Sequence, residues 1–322
     1  MKYMKVTGTD IYYNLALEEY MFNKSSEESV LLLWKNDTSI VLGKYQNVYE
    51  EINIKEVSRK HISVARRNTG GGTVFHDRGN LNYSFITSCS SGMFSDYDEF
   101  IFPVIKALNG LGVPAQKRNN SDIAIGTSKI SGSAQAVKSH RILHHGTLLF
   151  DADMEGLHLL LKPSDGRFTS KAVKSVRSDV TNISDHLRDK MTIDEFEEYL
   201  LENIISENDG QITPDEDELK VIEELAEKKY RTWEWNYGKS PKFVFEKCGT
   251  AAGKQYDVRL AVEKGIITDC SIESVNGSHP GATEELLREK LVNQRYEYDE
   301  IKAVIQSAAG QDEYEEFTDI LF

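Results

Sequence analysis

The spacing of apolar and polar positions predicts a strand-rich middle flanked by helices. Asn14–Phe22 carries apolar residues at helical intervals with Glu18 and Glu19 facing outward, which indicates a helix. Short apolar or alternating runs predict strands at Val30–Trp34, Ile40–Leu42, Ile62–Ala65, Leu81–Phe85, Ile123–Ile125, Ile130–Ala136 and Leu143–Phe150. Because Leu81–Phe85 alternates apolar with polar residues, we expect one face of that strand to be exposed.

Helical patterns return toward the end of the chain. A helix at Asp98–Leu111 is expected to be interrupted near Pro103, because proline lacks the N–H that a helix interior uses. Later elements are acidic helices at Ile193–Ile205 and Asp215–Lys229, a hairpin of Tyr256–Val262 with Ile266–Ile272, helices near Thr283–Leu291 and Asp299–Ala309, and an acidic amphipathic stretch at Asp312–Phe322. Strands and helices alternate irregularly, so the predicted fold class is α+β rather than a doubly wound parallel sheet.

Composition and length are those of an ordinary globular protein. The chain has 322 residues, of which 39% are hydrophobic and 28% are charged. Its longest apolar run, Val30–Trp34, is far shorter than the ~20 residues that cross a bilayer, and Met1–Asp10 resembles neither a secretion signal nor a mitochondrial leader. The widely spaced Cys89, Cys248 and Cys270 predict reduced thiols, and no CxxC or HExxH pattern indicates a metal site. We therefore expect a cytoplasmic protein without membrane attachment.

The net charge of −14 is unevenly distributed along the chain. Residues 51–180 hold 17 Lys and Arg against 12 Asp and Glu, whereas the remainder holds 21 against 40. An acidic protein repels a polyanion, so extended nucleic-acid binding is disfavoured. A basic centre in an acidic chain suits a small anion such as a nucleotide. The alternative, that acidic helices serve solubility and the middle is merely neutral, stays open.

The first segment with candidate chemistry is Arg66–Asp77, which reads RRNTGGGTVFHD. Three consecutive glycines are costly to order, and they suit a place where the main chain approaches a ligand and points N–H groups at it. The two arginines can add donors for phosphate or carboxylate oxygens. The segment lacks the Gly-Lys-Ser/Thr ending of a P-loop and the spacing of a dinucleotide fingerprint. A flexible surface loop is the structural alternative.

The second segment is KISGSAQ at Lys129–Gln135, followed by HHGTLL at His144–Leu149. Small side chains after Lys129 leave space for a substrate beside its ammonium group. His144 and His145 are adjacent, so on a strand they face opposite sides and cannot both bind one metal ion. A structural role is the ordinary interpretation of each histidine, and neither segment alone identifies a function.

Taken together, these motifs resemble the lipoate–protein ligase family. The strings RRNTGGGTVFHDRGNLNYSF, KISGSAQ, HHGTLLF and SVRSDVTNIS occur in the family's order across residues 66–184, and NLALEE and WEWNYGKSPKF resemble its N-terminal helix and the end of its large domain. The resemblance implies a biotin/lipoate ligase catalytic fold, with class II synthetase-like mixed sheets and flanking helices, over residues 1–242. It implies a small α+β accessory domain over residues 243–322.

The resemblance also implies a two-step reaction of lipoate salvage. ATP activates lipoate to lipoyl-AMP with release of pyrophosphate, and a lysine of an apo lipoyl domain then takes the lipoyl group. Mg²⁺ would accompany ATP. The implied partners are lipoyl domains of 2-oxoacid dehydrogenase E2 subunits and the glycine-cleavage H protein, with no nucleic acid and no membrane.

Site residues follow from the resemblance position by position. Lys129 is the implied catalytic residue, contacting both the lipoate carboxyl and the α-phosphate. The implied ATP or adenylate contacts are Arg67, Gly72, Thr73, Val74, Phe75, Lys129, Thr147, Arg177 and Thr181; the implied lipoate contacts are Gly70, Gly71, Gly72, Lys129 and His145. Val74, Phe75 and Leu148 are candidates for an apolar slot around the lipoate tail. The segment Phe168–Ile183 resembles the loop that folds over the adenylate.

One triplet departs from the family pattern. The family commonly has Arg-Asn-Asp where this chain has Asn120-Ser121-Asp122, so Asp122 is a further candidate and Arg118 or Lys117 would supply the missing charge. A lipoyl or octanoyl transferase using an acyl carrier or preformed adenylate is one alternative, although none of the cysteines is well placed as its nucleophile. A non-catalytic lipoate-binding module is another alternative, and it would need no lysine at position 129.

Overall fold

The computed structural model describes residues 1–24, 28–88, 96–275, 282–309 and 313–322. Cys89 and the first residue of the stretch predicted at 312–322 lie outside the described residues. Contacts divide the chain into a first unit, residues 1–44, 63–155 and 176–231, and a second unit, residues 45–62, 156–175 and 232–322. The division into independently folding domains after residue 242 stays a prediction.

The strands reproduce the sequence pattern closely. In chain order they are β1 (Lys2–Val6), β2 (Val30–Trp34), β3 (Ser39–Leu42), β4 (Ser63–Arg66), β5 (Val74–His76), β6 (Asn80–Ser88), β7 (Ala115–Lys117), β8 (Asp122–Ile125), β9 (Ser128–Lys138), β10 (Arg141–Leu149), β11 (Arg167–Ser170), β12 (Gly210–Gln211), β13 (Phe243–Ala251), β14 (Lys254–Glu263) and β15 (Ile266–Ser274). Each strand expected from the sequence is present within about two residues of its predicted ends, except that β6 runs three residues further at its C-terminal end.

The helices also follow the predicted order. They are α1 (Ile11–Asn23), α2 (Ile54–Arg59), α3 (Asp98–Gly110), α4 (Met154–Leu160), α5 (Ile193–Ile204), α6 (Glu216–Leu225), α7 (Trp233–Asn236), α8 (Ala282–Leu291), α9 (Tyr298–Ala308) and α10 (Tyr314–Leu321). A π-helical turn, Ala226–Tyr230, follows α6 directly. Among the described residues, no helix combines the length and the hydropathy that a membrane span requires.

The first unit is built on an eight-stranded sheet in the order β12-β1-β2-β6-β10-β9-β8-β7. The pairs of β1 with β12 and with β2 are parallel, and the pairs from β2 to β7 are antiparallel. A smaller sheet of three strands has the order β4-β3-β5. These mixed sheets with flanking helices confirm the predicted α+β class.

One face of the large sheet forms the main core of this unit against α3 and α5. Phe85 of β6 lies 5.7 Å from Phe100 of α3, measured between ring centroids, and Phe150 stacks on Phe196 of α5 at 4.7 Å. Tyr83, on the same face as Phe85, is fully buried. Because side chains alternate along a strand, the opposite face carries the intervening, more polar residues.

Two expectations about these elements were wrong. Strand β6 is buried on both faces, since Asn82 donates to the carbonyl oxygen of Trp34 and Ser84 is also fully enclosed. Hydrogen bonding allowed these polar side chains to be buried in a central strand. Helix α3 continues through Pro103, whose missing N–H would have faced the carbonyl of exposed Glu99.

The second unit contains a four-stranded antiparallel sheet in the order β11-β13-β14-β15. The predicted hairpin of β14 and β15 is confirmed. Aromatic side chains fill the core of this unit, because Tyr49, Phe243 and Tyr296 contact one another and Phe322 stacks on Tyr296 at 4.7 Å. This packing gives the second unit a hydrophobic core of its own.

Candidate active site

The polar face of the eight-stranded sheet brings several predicted site residues together. His145 of β10 lies opposite Ser84 of β6 and opposite Ala134 of β9. Paired residues in antiparallel strands point to the same side, and every second residue along each strand does so too. Thr147 and Gly132 therefore share this face with His145.

A bulge in β9 brings Lys129 to the same face. Asp122 of β8 pairs with Gly132, but Ala124 pairs with Lys129, so β9 contains one residue more than β8 between these two pairs. Ile130 and Ser131 are both fully buried at the bulge, where regular alternation would expose one of them. Without the extra residue, Lys129 and Gly132 would point to opposite faces.

Lys129 forms an ion pair with Asp122, with 2.8 Å between Nζ and Oδ1. Its side chain folds over Gly132, because a Cβ added at Gly132 would lie 2.7 Å from Lys129 Nζ. The backbone N–H of Gly132 lies 3.5 Å from Thr147 Oγ1. About a quarter of the Lys129 side chain (26%) is exposed, so a bound substrate can reach the ammonium group.

The Asp122 carboxylate is surrounded by donors. Arg118 Nη2 donates to Oδ2 at 2.9 Å and Asn119 Nδ2 donates to the same oxygen at 2.8 Å. Burial alone would raise the pKa of Asp122, but Lys129, Asn119 and Arg118 outweigh burial and hold that pKa below its ordinary value. Arg118 thus supplies a charge beside Asp122, whereas Lys117 pairs with Asp98.

Part of the predicted adenylate loop is attached to the strand that carries Lys129. The N–H of Lys129 donates to the carbonyl of Asp179 at 2.8 Å, and the N–H of Thr181 donates to the carbonyl of Lys129 at 3.1 Å. Arg118 also donates to Ser178 Oγ at 2.8 Å. Arg177, just before this attachment, is exposed to solvent. Thr181 is therefore next to Lys129 along the backbone, and Arg177 is not fixed to this group.

Arg67 organises the glycine-rich loop from inside. Its guanidinium donates to Thr69 Oγ1 at 3.0 Å and to the carbonyls of Val41 at 3.1 Å, Gly70 at 2.6 Å and Gly72 at 2.7 Å. Burial lowers the pKa of Arg67 to about 10, which leaves the group charged at neutral pH. These bonds give Arg67 a role in shaping the loop, and its predicted ATP contact stays a prediction.

The loop adjoins the Lys129 group at Gly71. This glycine has a φ of +87°, and a Cβ at this position would lie 3.0 Å from Arg67 Nη2 and 3.7 Å from the Cβ of Ala134. Ala134 follows Gly132 by two residues on the polar face. Gly71, one of the predicted lipoate-binding glycines, therefore lies beside the strand that carries the predicted catalytic lysine.

The other predicted contacts of this loop continue from it into β5. Thr73 and Val74 are partly exposed, whereas Phe75 is buried with 2% of its surface accessible. Leu148 is fully buried and lies on the core face of β10, beside Leu81 of β6. Of the residues proposed for an apolar slot, Val74 is thus the accessible one, and Leu148 lies on the opposite side of the sheet.

His145 connects the loop to α1. Thr69 Oγ1 lies 2.7 Å from His145 Nε2, and His145 Nδ1 lies 2.8 Å from Glu18 Oε1. The Glu18 carboxylate accepts, so the Nδ1–H of His145 donates to it, and the Thr69 hydroxyl, which accepts from Arg67, also forms a hydrogen bond with Nε2. Ser84 donates to the same oxygen at 2.6 Å. His145 thus supports the loop, while its predicted contact with lipoate stays a prediction.

Sequence reasoning missed the parts of this relay that lie outside the motifs. Glu18 was expected to face outward, but it is buried with 3% exposure because His145 and Ser84 satisfy its carboxylate. Thr69 lies within the glycine-rich segment, and the sequence pattern indicated no separate role for it. An acidic residue in the middle of an otherwise apolar helical face is the signal that could have identified Glu18.

His144 faces the core, as strand alternation predicts. Its ring stacks on Phe100 at 4.7 Å, and Gln135 Nε2 donates to its Nδ1 at 3.0 Å. Burial lowers the pKa of His144 to about 3. Across the described ranges, no group of three or more His, Cys, Asp or Glu side chains could hold a metal ion.

Two family models match separate parts of this chain. The lipoyl protein ligase A/B catalytic domain matches residues 10–205, and the bacterial lipoate protein ligase C-terminus matches residues 240–321. Lipoate-protein ligase LplJ of Bacillus subtilis is 43% identical over 264 residues, which cover 80% of this chain and 80% of that protein. Together the two matched ranges span most of the sequence.

Solved structures agree with these matches. A Thermoplasma acidophilum protein with bound lipoic acid is 28% identical with a TM-score of 0.64, covering 73% of this chain and 98% of its own. A study of that organism's bi-partite lipoate protein ligase and its E2 lipoyl domain gives 27% identity and a TM-score of 0.63 over 74% and 96% of the two chains. Lipoate-protein ligase A bound with ATP is 28% identical with a TM-score of 0.61 over 74% and 100%. The chain belongs to the lipoate–protein ligase family.

Proposed function

We propose that this chain uses ATP to ligate lipoate to a lysine of an acceptor lipoyl domain. One observation carries the proposal: the Lys129 ammonium is fixed by Asp122 above Gly132, on the strand that Gly71 of the glycine-rich loop adjoins. A cation at that place can meet two anions that would otherwise repel each other. The relatives bound to lipoic acid and to ATP support these two substrates.

In the first step, a lipoate carboxylate oxygen attacks the α-phosphorus of ATP. A carboxyl–phosphoryl bond forms, the bond between the α-phosphorus and the bridging oxygen breaks, and pyrophosphate leaves. Lys129 lies between the carboxylate and the phosphate and stabilises the negative charge that builds on the phosphoryl oxygens. Asp122 holds the ammonium in place, and Arg118 and Asn119 hold Asp122.

In the second step, the neutral amine of an acceptor lysine attacks the carbonyl carbon of lipoyl-AMP. An amide bond forms, AMP leaves, and the proton of the amine goes to the solvent or to the departing phosphate. The segment 168–183 is proposed to cover the adenylate and exclude water, which would hydrolyse it. Its attachment to Lys129 through Asp179 and Thr181 supports that role.

The remaining site residues are assigned within this proposal. ATP or adenylate contacts are assigned to Arg67, Gly72, Thr73, Val74, Phe75, Thr147, Arg177 and Thr181, and lipoate contacts to Gly70, Gly71, Gly72 and His145, with Lys129 shared by both. Arg67 and His145 hold the loop through Gly70, Gly72 and Thr69, so part of their contribution is to the shape of the loop. Asp122 positions Lys129.

Mg²⁺ is proposed as a companion of ATP, because triphosphate oxygens are hard ligands of the kind that Mg²⁺ prefers. The proposed acceptors are E2 lipoyl domains, supported by the Thermoplasma relative, and the glycine-cleavage H protein. The proposed place of action is the cytoplasm, where ATP is available; the free thiols of Cys248 and Cys270 suit a reducing compartment.

Lipoate-dependent exchange of labelled pyrophosphate into ATP tests the first step. The wild-type chain is expected to catalyse this exchange, and Lys129→Met to lose it by about 10²-fold or more. Lys138→Met is the matched control, because Lys138 lies exposed on the same strand and contacts Asn23. Transfer from supplied lipoyl-AMP without exchange would instead indicate a transferase, and lipoate binding without either reaction would indicate a binding module.

A further inference from the structure

A second set of hydrogen bonds, separate from those of His145, holds the start of the glycine-rich loop. Asn68, next to Thr69, donates from Nδ2 to the hydroxyl of Tyr230 at 2.7 Å, and Lys229 Nζ donates to Asn68 Oδ1 at 2.8 Å. Lys229 and Tyr230 both donate to Glu19 Oε2, at 2.7 and 2.8 Å. The four side chains close a ring of hydrogen bonds.

The two supports have a common base on α1. Glu18 reaches Thr69 through His145, and its neighbour Glu19 reaches Asn68 through Lys229 and Tyr230. Adjacent residues of one helix therefore hold adjacent residues of the loop through separate connections. The connections end at Thr69 and Asn68, the two residues that precede Gly70, where the three consecutive glycines begin.

Lys229 and Tyr230 belong to the π-helical turn Ala226–Tyr230. From this turn both side chains reach the same carboxylate oxygen of Glu19. Tyr230 is buried with 1% exposure, and the Lys229 side chain is 22% exposed. The turn lies between the two family-matched ranges, 10–205 and 240–321.

The charges within this ring are matched. Burial alone would raise the pKa of Glu19, but Lys229, Tyr230 and Asn68 outweigh burial and lower that pKa. Burial lowers the pKa of Lys229, and Glu19 opposes the shift. An ionised pair that is partly buried and hydrogen-bonded on both sides resists displacement more strongly than an exposed pair does.

We propose that Lys229 and Tyr230 are positioning residues for lipoate binding. The inference rests on the proposed function, since it takes Gly70–Gly72 as part of the lipoate site. Three glycines lose much conformational freedom when they are ordered, so anchoring Asn68, two residues before them, reduces the conformational freedom that the chain must lose on ligand binding. Loss of the ring should therefore weaken lipoate binding more than it slows the chemical step.

The test compares Tyr230→Phe and Lys229→Met with the wild-type chain. In lipoate-dependent pyrophosphate exchange, the KM for lipoate should rise about tenfold to 10²-fold in each variant, as for other misplacements remote from the reacting atoms. We expect the kcat at saturating lipoate to change by less than about threefold in each variant, and the KM for ATP to change by no more than that. Titration calorimetry with lipoate alone should show the same loss of affinity.

Controls separate positioning from general damage. Lys228→Met removes a neighbouring lysine that pairs with Glu224 on the same helical segment, and it should leave the KM for lipoate unchanged. Lys229→Arg keeps a cation with several donors. Its loss of lipoate-binding free energy should be no more than about half of the loss in Lys229→Met. The double variant Glu19→Gln/Lys229→Met should bind lipoate no more weakly than the more impaired of the two single variants, because both substitutions break the same ring of hydrogen bonds.

The outcomes are separable. If the wild-type chain shows no lipoate-dependent exchange, the proposed function fails. If the wild-type chain is active but both variants bind lipoate normally, or lose kcat and thermal stability together at unchanged lipoate affinity, the positioning role is overturned. A rise in lipoate KM and Kd at near-normal kcat supports it.

Discussion

Gly132 lies directly beneath the ammonium group of Lys129. A Cβ built on Gly132 would approach Lys129 Nζ to 2.7 Å and Cε to 2.8 Å, both shorter than van der Waals contact allows. The absence of a side chain at position 132 is thus what lets Lys129 bend toward Asp122. The atoms that a methyl group would displace are the flexible end of a lysine, so the fold itself has room to adjust.

Gly132→Ala should therefore impair activity without unfolding the protein. We expect lipoate-dependent pyrophosphate exchange to fall by about 10²-fold, while the free energy of unfolding in urea changes by less than about 1 kcal/mol. Gly8→Ala is the matched control, because a Cβ at Gly8 has no neighbour within 4 Å. Normal exchange by Gly132→Ala would show that Lys129 works from a different position.

Arg118 should matter for activity and Lys117 should not. Arg118→Gln removes the charge that holds Asp122 Oδ2 at 2.9 Å, so Lys129 loses a rigid partner, and we expect exchange to fall by about tenfold. Lys117→Gln breaks a pair with Asp98 at the start of α3 and should leave exchange within about twofold of wild type. Equal effects of both substitutions would contradict the assignment of Arg118.

Gly71 and Gly70 should differ in their tolerance of a methyl group. At Gly71 the φ of +87° and the contact with Arg67 make alanine unfavourable, whereas a Cβ at Gly70 has open space around it. We expect Gly71→Ala to reduce the free energy of unfolding by about 1–3 kcal/mol and Gly70→Ala by less than about 0.5 kcal/mol. Urea unfolding of the two variants side by side measures the difference, and equal losses would contradict the described loop conformation.

Acid should destabilise the protein through two buried histidines. Burial lowers the pKa of His76 and of His144 to about 3, with the nearby charge of Arg67 contributing at His76. Between the ordinary value of about 6.5 and pH 3, the unfolded chain binds protons that the folded chain does not, so stability falls as pH falls. In that range, each of the two histidines should lower the free energy of unfolding by ~1.4 kcal/mol for every pH unit of acidification.

Urea unfolding at several pH values between 5.0 and 6.5 checks this dependence. His144→Phe keeps an aromatic ring against Phe100. It should reduce the slope of the free energy of unfolding against pH by the amount that corresponds to about one bound proton. His140→Phe is the control, because His140 is exposed. An unchanged slope in His144→Phe would show that His144 is protonated in the folded state.

Periodicity was sufficient to predict the strands that position the site. The alternation in β10 correctly placed His144 and His145 on opposite faces, because the side-chain period of a strand is fixed by its backbone. The glycine-rich loop was recognisable because consecutive glycines are unfavourable without a structural reason. These are local properties, and they can be inferred from a few neighbouring residues.

Other features depend on partners far along the chain. Glu18 is buried because His145 and Ser84 meet it, and nothing near position 18 indicates either partner. The bulge at Ile130 depends on the register between β8 and β9, which neither strand specifies alone. Lys229 follows a helix in which six of ten residues are charged, so the sequence pattern does not single out its pairing with Glu19.

The antiparallel pairing of β11 with β13 has a consequence for biosynthesis. Phe168 pairs with Phe245, and Ser170 pairs with Phe243, so β11 leaves the ribosome long before the strand that completes its ladder. Until Phe243–Glu246 emerge, the nascent polypeptide carries an unpaired strand edge near residue 168. During translation that edge therefore stays exposed unless a chaperone covers it, and the sheet can close only late in synthesis.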